Sequence, residues 1–298
     1  MRKQGTIFLT IALIGLFTLN CPAQRVQSPD SKINRVYRDS ISLGNYVAVL
    51  YEIFNKEGDQ KLNEEISIYR DGKIAASAYS PEVSLYNFAQ GDKKAKPVYM
   101  KDINKDGYNE VIIIGRMGEG NCCYHAGLHR LKPSKFEDIT RFDLKQTKDL
   151  YLEDIDKDSI PEIVFADANF AEWHAPLEKS PMPVLIWKWQ DNDYRIANYK
   201  FADYLAKKLK KDDLAKLSQA MKKSVSEYKA DDMYKKYPSP LLWSYMLDYI
   251  YANKQAKADS IFNDYWPKEI PGKDAFYYEF KKHLEDGFYW EGLQKSDF

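Results

Sequence analysis

Three cysteines and four histidines in 298 residues leave this chain short of the side chains on which thiol, redox and imidazole chemistry depends. No Cys-x-x-Cys pair occurs, which removes the usual dithiol redox centre. Gly-x-Ser-x-Gly, His-Glu-x-x-His and phosphate-cradling glycine loops are also missing, and with them the common hydrolase, zinc-protease and nucleotide signatures. Positive charge is not in surplus, since 44 Lys and Arg balance 44 Asp and Glu, and no basic stripe carries interleaved aromatics. Nucleic acid is therefore not an expected partner. Beyond the first 20 residues no apolar run is long enough to span a bilayer. Aromatic residues are what the chain has in quantity, at 14%, within a composition that is 44% hydrophobic and 30% charged. That balance belongs to a folded chain, and the length suits one large domain or two modest ones.

The first 23 residues have the form of a signal peptide: Arg2 and Lys3, then an apolar run from Ile7 to Leu19, then Pro22 and Ala23. Export to the cell envelope follows from it. Cys21 closes the run where a lipoprotein peptidase leaves an acylated cysteine, although Asn20 stands where Gly, Ala or Ser is usual; cleavage after Ala23 is the alternative. Lipidation would tether the protein to a membrane, each buried methylene adding roughly 0.8 kcal/mol of affinity. Removal of the segment takes away two positive charges and leaves 42 against 44, about −2 in net charge.

Residues 24–35 are polar and read as a flexible linker. From 36 to 200 the pattern is that of strands, at 46–54, 65–69, 111–115, 163–166 and 184–189, with Arg70-Asp71-Gly72-Lys73 as a hairpin turn. After residue 200 the period changes to that of helices, at 201–229, 241–253, 257–265 and 275–284, broken by Pro238 and Pro240.

The strongest chemical signal is Asp102-Ile103-Asn104-Lys105-Asp106-Gly107-Tyr108-Asn109-Glu110, which runs straight into the apolar strand Val111-Ile112-Ile113-Ile114. Calcium takes six to eight hard oxygens at roughly 2.3–2.6 Å, and side chains at alternate positions converge on it only if the chain curls tightly. Asp102, Asn104 and Asp106 supply those positions, Gly107 permits the curl, Tyr108 would give its carbonyl, and Glu110 would complete the cage. Ile113 stands where an EF-hand needs its bidentate Glu, so this is not an EF-hand. The pattern returns 52 residues later in Asp154, Asp156, Asp158 and Glu162, again before a strand, which makes it an internal repeat. Ser159 takes the glycine's place there and suits a left-handed backbone less well, so weaker calcium binding, or none, is expected at the second loop. The alternative for both is a solvated Asp/Asn turn that holds no metal.

These two loops resemble the FG-GAP or VCBS-type repeats of integrin-like β-propellers and of many exported bacterial proteins. The resemblance covers two nine-residue loops and their strands, too little for a full propeller. A wider likeness, carried by Cys122-Cys123, Phe170, Trp173 and Ser180-Pro181-Met182-Pro183, is to exported bacterial proteins with such repeats and no assigned function. It implies a fold and calcium, and no activity.

Export favours oxidation of Cys122 and Cys123 to a disulfide between neighbours. The alternative is a metal site formed with His125 and His129, although this spacing matches no common zinc module. His174, with Asp167 and Glu172, could form an acid/base cluster, against the plainer reading of a partly buried histidine beside Trp173. The aromatics of the tail, among them Trp243, Tyr249, Phe262 and Trp266, read as helix packing or as a surface for a partner.

The expectation is thus a mixed α+β protein. A β-rich, propeller-like or sandwich-like domain at 36–200 with two calcium-type loops precedes a small α-helical domain at 201–298. Its expected role is that of a non-enzymatic envelope module binding a protein or glycan partner. The rival is an envelope hydrolase centred near Asp167 and His174.

Overall fold

The computed structural model describes residues 25–27, 33–90, 94–117, 122–208 and 213–294. The expected signal peptide and Cys21 lie outside them. The fold is mixed α+β, with antiparallel sheets followed by helices. The first sheet has five strands in sequence order: β1 (Arg25–Gln27), β2 (Ile33–Leu43), β3 (Tyr46–Asn55), β4 (Lys61–Arg70) and β5 (Lys73–Ser80). The second is a four-stranded meander of β6 (Glu82–Leu85), β7 (Asn109–Arg116), β8 (Tyr124–Leu131) and β9 (Phe136–Lys145). The third repeats that plan with β10 (Leu150–Glu153), β11 (Glu162–Ala166), β12 (Val184–Gln190) and β13 (Asp193–Ile196). The helices are α1 (Ala202–Lys208), α2 (Asp213–Glu227), α3 (Leu241–Tyr251), α4 (Gln255–Tyr265), α5 (Lys273–Glu285) and α6 (Trp290–Gln294). Among the described residues no helix is long and apolar enough to cross a membrane.

The continuous apolar stretch of β7 has a simple cause: both of its faces are covered. Val111 and Ile113 pack with Leu43, Tyr46, Ile66 and Ile68 of the first sheet, while Ile112 and Ile114 pack with Ile163, Phe165, Leu185 and Trp187 of the third. The second sheet is therefore the middle layer. The third is covered in turn, since Val164 and Ile186 on its far face meet Phe201 and Leu205 at the start of the helical tail and Ala252 at the end of α3. Burial of side chains of this size stabilises by about 1.5–3 kcal/mol each. One buried cluster also joins Phe142, Phe165 and Trp187 to Trp243, Phe276, Phe280 and Leu284, so sheets and helices share a core across the change of pattern near residue 200.

The polar lead expected at 24–35 differs in the structure. It contains β1, and β2 already begins at Ile33 and runs for 11 residues, ten of them paired with β3 from Ile33 opposite Asn55 to Leu43 opposite Tyr46. The strand is half-exposed, so hydrogen bonding to β3 and β1 orders it without an apolar alternation.

Candidate metal centre

Each acidic loop leads into the second strand of its sheet, β7 or β11, and is closed by an antiparallel backbone pair. In the first, Lys101 and Glu110 exchange backbone hydrogen bonds of 3.1 and 2.8 Å; in the second, Glu153 and Glu162 are the paired residues. Eight residues curl between each pair. The curl is the same in both: the third residues after the opening aspartates, Lys105 and Lys157, are left-handed at φ 59° and 65°, as are Gly107 at 88° and Ser159 at 70°. The N–H of Gly107 donates to Asp102 Oδ2 at 3.1 Å, and that of Ser159 to Asp154 Oδ2 at 3.1 Å. Ile103 N–H donates to Glu110 Oε2 at 3.0 Å, and Ile155 N–H to Glu162 Oε2 at 2.8 Å. Glycine is thus not required for the turn, since Ser159 adopts it too, at a cost in strain.

Both closing glutamates are fully buried. Burial raises the Glu110 carboxyl to about 7, against the opposing pull of Ile103 N–H and Arg130; burial also raises Glu162. Asp154, Asp156 and Glu162 bring one carboxylate oxygen each to within 4.8 Å of one another, a grouping that could hold a metal ion and is not specific to calcium. The matching set in the first loop is Asp102, Asn104 and Glu110, where an amide replaces one carboxylate. Asp102 Oδ1 there is buried and accepts no hydrogen bond. Tyr108 is exposed, with its ring beneath Lys132 Nζ at 5.6 Å.

The sequence reading missed two further residues of these loops, both cations on the facing strand. Arg130 of β8 lies directly opposite Glu110 in the ladder. Its Nη2 is 2.7 Å from Asp106 Oδ2 and its Nε 3.3 Å from Glu110 Oε1, and the guanidinium stacks over Trp189 of β12 at 5.3 Å. Lys188 of β12 is the next residue after Trp187, which pairs with Ile163, so it faces Glu162 in the same way. Its Nζ donates to Asp156 Oδ2 at 2.7 Å, Asp158 Oδ2 at 2.6 Å and Glu162 Oε1 at 3.3 Å. Burial disfavours that ammonium, but the three carboxylates outweigh burial and hold it above the ordinary lysine range. Asp158 is held low by the same bond. A charged residue inside an otherwise apolar strand, as in Val184-Leu185-Ile186-Trp187-Lys188-Trp189, was the available signal.

The two loops lie close together. Tyr194 of β13 donates to Pro161 O at 3.2 Å, and burial first, then the charges of Glu110, Glu162 and Asp158, push its phenol up. Elsewhere, Cys122 and Cys123 are joined by a disulfide across a cis peptide bond. His129 Nδ1 is 2.7 Å from Asp138 Oδ1 and His125 Nδ1 3.8 Å from Asp143 Oδ1, and among the described residues neither imidazole falls in a metal-ligand grouping with the bonded sulfurs. Asp167 is buried and accepts a 2.5 Å bond from Tyr251 OH, whereas His174 Nε2 faces Glu279 Oε2 at 3.3 Å. The suggested acid/base pair is thus divided between separate partners.

No protein-family model, no curated protein and no solved structure matches the chain.

Proposed function

We propose that this is a non-enzymatic module of the bacterial cell envelope in which acidic loops, the first of them with bound calcium, fix two stacked propeller-like sheets that present a surface to a protein or glycan partner. What supports the reading is the repeated curl: two loops of different sequence reach the same backbone, the same N–H to Asp bond and the same buried glutamate. Repetition of an acidic turn with left-handed residues at the same two positions is more than a hairpin connection needs. In the first loop Asp102 Oδ1, Asn104 and Glu110 are the oxygens that would hold the ion, with Tyr108 contributing its carbonyl.

Melting of the purified protein in millimolar calcium and in chelator tests this reading. A ligand at 100 times its Kd adds about 2.7 kcal/mol, so calcium should raise Tm by several degrees in the wild type and not in Asp102→Ala. Equal melting temperatures for the wild type in both conditions would remove calcium from the reading. A second reading, an envelope hydrolase, is favoured by one observation: His174, at φ 50°, lines a cavity of about 400 Å³ with Tyr237 and Ser239. Turnover of an envelope polymer that is lost in His174→Ala, with folding intact, would establish it.

A further inference from the structure

We infer that Lys188 is the resident cation of the second loop: its ammonium occupies the place of a divalent ion there, and divalent binding is left to the first loop. The inference rests on reading both loops as cation cages. It deepens that reading by assigning each cage its occupant.

The geometry carries it. Lys188 Nζ lies 2.6–3.3 Å from Asp156, Asp158 and Glu162, the third, fifth and ninth positions of the loop, which are side chains a calcium ion would also use. An ammonium has three N–H donors and no acceptor, so three carboxylates saturate it. The side chain is only 16% exposed and comes from a strand whose register is locked on both sides, which holds the nitrogen in the cage. A divalent ion at roughly 2.3–2.6 Å from the same oxygens would overlap that nitrogen, so the two cations exclude each other.

Arg130 does something different in the first loop. Its planar fork meets Asp106 and Glu110, the fifth and ninth positions, while Nη1 turns 3.6 Å away to Glu137 and the plane lies over Trp189. It stands at the wall of the cage. Asp102 and Asn104, the first and third positions, make no ion pair with it, and the buried Asp102 Oδ1 stays open to an ion. The second cage is the more acidic, with Asp154, Asp156, Asp158 and Glu162 against Asp102, Asp106 and Glu110. Without its ammonium it should be the better calcium site.

Calorimetric titration of the purified protein with calcium chloride separates the outcomes. Lys188→Met should bind one more calcium per chain than the wild type, and should melt roughly 5 °C below it in chelator, with calcium restoring the difference. Wild type at one and variant at two is the expected result. Wild type at zero and variant at one would keep the role of Lys188 and discard calcium at the first loop. Equal stoichiometry in a folded Lys188→Met, or two calcium ions in the wild type, would overturn the inference. Asp154→Ala in the wild-type background covers the case of a variant that does not fold: it should leave the calcium stoichiometry unchanged, and loss of a site would equally overturn the assignment.

Discussion

Ser159 and Gly107 occupy the same left-handed turn, and only one of them is suited to it. Nothing lies within 4 Å of a Cβ placed on Gly107, so substitution there meets backbone strain alone. Gly107→Ala should cost about 1 kcal/mol and Ser159→Gly should return about 0.5–1 kcal/mol. Chemical denaturation in chelator reads both without the contribution of a metal, and a destabilising Ser159→Gly would show that the two turns differ in more than their side chains. The carboxylate grouping at metal-ligand spacing is in the second loop, because Asp156 stands where the first loop has Asn104, and Lys188 already pairs with two of its three members.

Among the elements, α3 carries a charge in an unfavourable place. Asp248 lies in its last turn, where the helix dipole opposes an anion, and burial raises its carboxyl to about 6. The sign follows from linkage: the folded pKa is above the unfolded value of about 3.9, so protonation favours the fold, and that gain is full below about 3.9 and lost as pH rises through about 6. Asp248→Asn should therefore stabilise by about 1–3 kcal/mol at pH 7.5 and by little at pH 4, read as Tm at the two values; equal gains at both would refute the assignment. Elements with strong periodicity were legible in the sequence. The expected helices at 241–253, 257–265 and 275–284 match α3, α4 and α5 closely, and the strands at 111–115 and 163–166 lie within β7 and β11. What was not legible depends on pairing. β2 and β9 carry polar residues on exposed faces, and only their neighbours order them. The acidic positions of the loops were likewise readable as a spacing, but Arg130 and Lys188 enter from strands 20 and 26 residues beyond the closing glutamates, which only the sheet register brings opposite.

For the whole molecule, the shared cluster from Phe142 and Trp187 to Trp243 and Phe280 predicts cooperative behaviour across the β and helical parts. Calorimetry should show one unfolding transition, detected together by tryptophan fluorescence and far-ultraviolet dichroism; two resolved transitions would mean that the parts unfold separately. The strand β12 explains why the coupling should reach the acidic loops. At one end it holds Lys188 among the carboxylates. Two and four residues earlier, Ile186 N–H donates to the buried Asn198 amide at 2.9 Å and Val184 O accepts from it at 2.8 Å, while the same amide donates to Tyr251 O at the end of α3 at 3.2 Å. β12 is thus a rod clamped at both ends. A shift of β12 along its own axis would strain both grips at once, the ion pairs of Lys188 at one end and the Asn198 bridge to the last carbonyl of α3 at the other.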